Sequence, residues 1–221
     1  MRYFAPFLYF ILVFAFLACT YEKESSAVEA LVNEDFPMKI ISDTVIVDCD
    51  YTFEEAIEGT NAPFDVINQL ELINVRYYST DGKIHDGQLL TNKKIANDIK
   101  ELFTFMFQEQ FPIAKAIPIV KYNWNDNLSM QDNNTYSFCY RNVSYSKHAQ
   151  GMAIDINPFF NPLRSKNDSF PRPNKPNSAK FDPSVPGTLY LTHPIVIKLN
   201  NIGFKWGHYF KKKYDDHHFE K

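Results

Sequence analysis

The chain has 221 residues, 45% of them hydrophobic and 22% charged, with a formal net charge of −3. That length suits one compact domain, and the apolar fraction excludes a disordered or collagen-like chain. No basic excess is available to neutralise phosphates, so nucleic acid is not an expected partner, and three cysteines are too few for a disulfide-built mini-fold or a four-thiolate zinc site.

Residues 4–18 form an uncharged apolar run between Arg2 and Cys19. The run is short for a membrane span, which needs about 20 residues, and fits the core of a signal peptide. Phe16-Leu17-Ala18-Cys19 resembles a bacterial lipobox, with Phe where Leu is commoner. Residues 1–18 therefore read as a signal peptide of lipoprotein type, with a lipid anchor on Cys19. The plainer alternatives are a simple cleaved signal and an uncleaved anchor. Residues 19–36 are polar and acidic and read as a tether, leaving 37–221 as the domain. Export would put Cys49 and Cys139 where a disulfide is allowed; they either pair or remain buried thiols.

Along the domain, Ile40–Val47 is β-branched and reads as a strand. Thr52-Phe-Glu-Glu55 has capping-box spacing and opens a short helix. Ile73–Tyr78 reads as a strand followed by a turn at Asp81-Gly82. Ile95, Ile99, Phe103 and Met106 recur at helical spacing, predicting a helix over 92–110 capped by Thr91 or Asn92, with the stripe as core. Ala116–Tyr122 reads as a strand. Thr192 is placed to cap a helix through Asn200, with Pro194 in its first turn. Residues 162–186 hold Pro162, Pro171, Pro173, Pro176, Pro183 and Pro186. This long loop is either a lid or binding loop or a tolerated, solvated insertion.

The chemistry concentrates in two stretches. The first runs from Ser146 to Pro158 and contains His148, Gly151 and Asp155. Residues 152–156 read as a strand, with Met152, Ile154 and Ile156 on one side and Ala153 and Asp155 on the other. A carboxylate between two large apolar residues needs a strong partner if buried. His148 lies seven positions earlier, roughly 23 Å away on a straight strand and about 10 Å on a helix. Only a reversal at Gly151 brings the two together. The second stretch is the tail, where His208, His217 and His218 stand near Asp215, Asp216 and Glu220. A His, Asp, His set suits one zinc ion with a position left for water, and a free carboxylate beside it can take a proton. On chemistry alone Asp215, Asp216 and Glu220 are all candidates for that carboxylate.

Ser146-x-His148-x-x-Gly151-x-Ala153-x-Asp155, followed by Trp206-Gly207 and Asp215-x-x-His218-Phe219, resembles the zinc D-alanyl-D-alanine carboxypeptidase family. It is most similar to the branch with the L-alanyl-D-glutamate endopeptidases of phage endolysins. Gly82-Lys-Ile-His85-Asp-Gly87 and Asn134–Arg141 extend the likeness to roughly residues 70–221. The resemblance implies an α+β fold, with a small antiparallel sheet carrying the zinc site and helices packed against its other face. It implies His148, Asp155 and His218 as ligands of one zinc, and Asp215 as the catalytic carboxylate. Arg141 matches an arginine that holds substrate or developing charge. Ser146, with the spacing to position His148, and Trp206, otherwise a core residue, complete the candidate substrate-binding set.

Two positions depart from the family pattern. Gly207-His208-Tyr209 replaces the usual Gly-Gly-Asp, and His217 stands where Pro, Met or Gln is commoner. His217 is therefore a competing ligand, although on a strand it would face away from Glu220 while His218 would share that side. His208 is open, His85 and His193 read as structural, and Lys211–Lys213 as a solvated turn. The implied activity is hydrolysis of an amide bond in peptidoglycan stem peptides, as a D,D-carboxypeptidase or an L,D-endopeptidase. The protein would be a monomeric bacterial lipoprotein, periplasmic or on the cell surface. The alternative is a non-catalytic metal- or cell-wall-binding lipoprotein on the same fold.

Overall fold

The computed structural model describes residues 45–143, 145–167 and 172–221. The signal peptide, Cys19 and the tether fall outside the described residues, as does the start of the strand read at Ile40–Val47. Its end, Ile46–Val47, forms β1. Thr52 makes the capping box with Glu55 and opens α1 (Phe53–Ala56), and α2 (Phe64–Ile67) follows. β2 (Leu70–Tyr78) and β3 (Ile84–Asn92) form a nine-residue antiparallel pair, with β1 parallel on the far side of β3. Asp81 and Gly82 lie in the connecting turn, as the sequence predicts.

The long helix, α3 (Ala96–Gln108), starts later than its spacing suggests. Thr91 and Asn92 do not cap it. They are the last residues of β3, and their side chains donate to the carbonyls of Gly151 and Gln150. The hydroxyl and amide that mark a helix start in sequence here tie the strand to the segment that follows His148. Ile99, Leu102, Phe103 and Met106 are buried, so the stripe is core.

Residues 116–122 are mostly not a strand. β4 is only Lys115–Ala116, paired with β5 (Asn134–Thr135). Pro118, which has no N–H to give a ladder, leads into a 3-10 turn over Ile119–Tyr122. α4 (Asp126–Gln131) comes next. α5 (Pro194–Asn201) is capped by the imidazole of His193, which accepts from the Ile195 N–H, rather than by Thr192. His85 is structural too. Its Nδ1 lies 2.9 Å from Asp48 and its Nε2 3.3 Å from Asp81.

The domain has the expected α+β architecture, and the strands among the described residues form four small sheets. The second three-stranded sheet is antiparallel, in the order β6 (Ala153–Asp155), β10 (His218–Glu220), β8 (Lys205–Trp206). One face of it, carrying Ile154, Phe219 and Trp206, shares the main core with α3, α5 and β2. β7 (Leu163–Ser165) pairs with β9 (Lys213–Asp215), joining the start of the proline-rich loop to the tail. Cys49 and Cys139 are free thiols, so the pairing allowed by export is not formed. Burial pushes both up to about 11. Among the described residues no helix is long and apolar enough to cross a membrane.

Two buried asparagines lock the loop connections around this sheet. The Asn157 amide donates to the carbonyls of Pro112 and Gly187 and accepts from the Ala114 N–H. Asn161 donates to the carbonyls of Ile156, Asn157 and Gly187 and accepts from the Leu189 N–H. Asn157→Leu puts a bulkier side chain at a φ of +44° and strands buried backbone groups at about 1–3 kcal/mol each. We expect a loss of about 2–4 kcal/mol, read as a drop of roughly 5–15 °C in thermal midpoint. An unchanged midpoint would show that Asn157 carries no such load.

Candidate metal centre

Two local devices bring the first histidine to the first carboxylate. His148–Gln150 forms one 3-10 turn, and Gly151 reverses the chain at φ +65°. A Cβ there would lie 2.8 Å from the Asn92 nitrogen and 2.9 Å from a Leu70 methyl, so only glycine fits both the turn and the approach to β3. β6 then alternates as its sequence requires. Ile154 enters the core, and Asp155 points the other way with its backbone bonded to Tyr136. β10 pairs His218 directly opposite Asp155.

His148 Nε2 and His218 Nδ1 each lie 3.0 Å from Asp155 Oδ1 and 3.0 Å from one another. All three residues are buried. The remaining nitrogen of each imidazole is committed. His148 Nδ1 lies 2.7 Å from the Ser137 carbonyl, which can only accept. His218 Nε2 lies 3.1 Å from Glu220 Oε2. Each outer nitrogen therefore carries a proton, and the two inner nitrogens point to one spot, where they can ligate once any proton on them is lost. That is the arrangement of metal-bound histidines. A tetrahedral zinc with bonds of about 2.0–2.1 Å would set its ligand atoms roughly 3.3–3.5 Å apart, so this triangle accepts such an ion with a small adjustment. The donor set of two imidazoles and one carboxylate fits zinc.

Burial works against the charge on Asp155, but His148 and His217 beside it, with hydrogen bonds from His148 and His218, hold its carboxyl well below the usual range. Burial likewise opposes the charge on His218. Its contacts with Asp155 and Glu220 outweigh that and raise it to about 10 without metal.

The three tail carboxylates separate cleanly. Asp215, at the end of β9, is buried and lines the same cleft as the three donors. Its Oδ2 pairs with Lys213 Nζ at 2.8 Å, while its Oδ1 lies 3.0 Å from His217 Nε2 as an ion pair. Burial opposes its charge too, but His217 and Lys213 hold it well below the carboxylate range. Gly207 permits the approach, since a Cβ there would lie 2.8 Å from the Asp215 backbone oxygen. Asp216 points away, fully buried against Arg164 and His208. Glu220 holds His218.

The cleft measures about 560 Å³. Arg141 lines it, but its Nη2 donates to Asp126 and to the Tyr136 hydroxyl, so its ion pair is with Asp126. Ser146 lines it too, yet its hydroxyl accepts from the Ala149 N–H; the Ser137 carbonyl orients His148 instead. Trp206 does not reach the cleft. It is buried against Phe219 and donates its indole N–H to the Asp216 carbonyl, as a core residue would. His208 stacks on Trp206 and binds Asp216, outside the cleft. Lys213 is no solvated turn residue but the partner of Asp215. Leu163 and Lys175, from the proline-rich loop, line the cleft as well. Sequence reasoning missed Ser137 and Lys213. Ser137 lay inside a matched segment, while its role is played by a backbone carbonyl, which no side-chain pattern marks.

Residues 141–221 match the family model described as D-alanyl-D-alanine carboxypeptidase. The match includes the three convergent donors, Asp215 and Arg141. No curated protein and no solved structure matches the chain.

Because metal-free His218 is raised to about 10, it is protonated at pH 7 and must lose that proton to ligate through Nδ1. Zinc binding at pH 7 should release about one proton or more, and affinity should rise with pH up to about 10. Calorimetric titration in buffers of differing ionisation enthalpy measures this. A binding enthalpy independent of buffer would contradict it.

Proposed function

We propose that this chain is an exported zinc peptidase that hydrolyses an amide bond in the peptide stems of peptidoglycan. The observation that carries the reading is the convergence of His148, Asp155 and His218 in one cleft with the buried carboxylate of Asp215, inside the segment that matches the carboxypeptidase family model. The expected lipoprotein signal supports an extracytoplasmic location, where this substrate is met, with Cys19 as the membrane anchor. The domain would act as a monomer from about residue 37.

The ion would be held by His148 Nε2, Asp155 Oδ1 and His218 Nδ1, and bound zinc supplies Lewis-acid chemistry that acidifies water toward a pKa of about 7 and polarises a carbonyl. The protein's own groups divide the rest of the work. Asp215, buried in the same cleft as the three donors, accepts the proton of the attacking water and returns it to the leaving amine. Glu220 and the Ser137 carbonyl keep both imidazoles in the ligating tautomer. Arg141 offers its half-exposed guanidinium to charge on the substrate, with Asp126 fixing its direction. Ser146 and Lys147 line the same wall.

Two bonds in the stem suit this chemistry: the terminal D-alanyl-D-alanine bond and the L-alanyl-D-glutamate bond. Soluble muropeptides, incubated with the purified domain and read by mass spectrometry, separate them. Loss of one alanine identifies a carboxypeptidase; release of a multi-residue fragment identifies an endopeptidase. Either product should vanish on chelation and return with zinc. Asp215→Asn should keep bound zinc while lowering turnover roughly 10²- to 10⁴-fold. No cleavage by a folded, zinc-loaded wild type would favour a binding protein on the same fold, and unchanged turnover in Asp215→Asn would remove Asp215 as the proton acceptor.

A further inference from the structure

His217 is buried at 4% exposure in the wall of the cleft, and the proton path described above does not use it. Its Nδ1 lies 2.7 Å from the Asn161 carbonyl. A carbonyl and a carboxylate both only accept, so Nδ1 donates to Asn161 and Nε2, turned to the cleft, carries the proton that pairs with Asp215. Nε2 lies 3.0 Å from Asp215 Oδ1 and 3.7 Å from Asp155 Oδ2. His217 is not among the residues whose donor atoms converge within 4.8 Å, so the geometry does not make it a fourth ligand.

The two contacts on Asp215 differ in stiffness. Lys213, on Oδ2, has a side chain 41% exposed and a flexible stem. The imidazole on Oδ1 is buried and anchored to Asn161, which the core loops fix through four hydrogen bonds of its own side chain. A rigid path therefore runs from the loop core through Asn161 and His217 to one oxygen of Asp215.

We propose that His217 is a positioning residue, one that holds the Asp215 carboxylate in the rotamer that turns Oδ1 toward the three donors; this rests on the proton role given to Asp215 above. His217→Leu removes the nitrogen, and His217→Gln places an amide N–H near the position of Nε2. His217→Asn keeps a polar group near Asn161 but cannot reach Asp215, and takes the place of the leucine variant if that one does not fold.

The test compares the mature variants with wild type by zinc content, muropeptide kinetics and crystal structures of the zinc-loaded proteins. His217→Leu should keep its zinc, lose roughly 10²-fold in kcat with KM little changed, and show Asp215 turned out of its wild-type rotamer. His217→Gln should restore most of the turnover. Combined with Asp215→Asn, His217→Leu should add no further loss. An unmoved Asp215, an unchanged kcat, or loss of zinc from His217→Leu would each overturn the proposal, the last by making His217 a ligand. A wild type inactive on muropeptides would defeat the functional reading alone, and the rotamer comparison would still decide what His217 positions.

Discussion

The site depends on one buried anion. Asp155 is 3% exposed and stands between Ile154 and Ile156, both fully inside the core. An unpaired carboxylate in that position would cost several kcal/mol, far more than the neighbouring side chains could offset. Its charge is kept because imidazoles meet it. Two of them, His148 and His218, meet the same oxygen; His217 stands opposite the other. The elements around β6 are, in effect, different routes for delivering those rings.

Each route uses a distinct physical device. Gly151 folds His148 back onto the strand that follows it. The β6–β10 register sets His218 directly across from Asp155. The outer nitrogens are then consumed by groups that can only accept, so the inner nitrogens are the ones left to ligate once deprotonated, which makes the cluster a cation site. The adjacent carboxylates of the tail have different tasks because consecutive residues face opposite ways. Asp215 faces the cleft, while Asp216 pins the tail to Arg164 and through it to the proline-rich loop, where the guanidinium also lies over the rings of Phe181 and Tyr214.

Much of this was legible in the residues. Alternation around Asp155 gave its facing, the seven-residue gap demanded a reversal, and the scarcity of histidine made the tail conspicuous. The helical stripe at Ile99, Phe103 and Met106 was core, as period alone indicates. What could not be read was set by tertiary partners. Thr91 and Asn92 have the chemistry of a cap, but the β2–β3 ladder extends through them and their side chains are claimed by the turn at Gly151. Ser146 has the spacing to orient His148, yet a backbone carbonyl from Ser137 is closer to the required direction. Trp206 belongs to a motif and still packs as core. Lys213 read as part of a solvated turn and His217 as a competing ligand, whereas both meet Asp215.

The central claim is that His148, Asp155 and His218 form a zinc site. Anomalous diffraction from crystals of the zinc-loaded domain, measured on both sides of the zinc absorption edge, tests it most directly. One strong peak is expected, bonded to His148 Nε2, Asp155 Oδ1 and His218 Nδ1, with Asp215 nearby but unbonded. No peak at that point, or a peak ligated by His217 in place of one of the three, would contradict it.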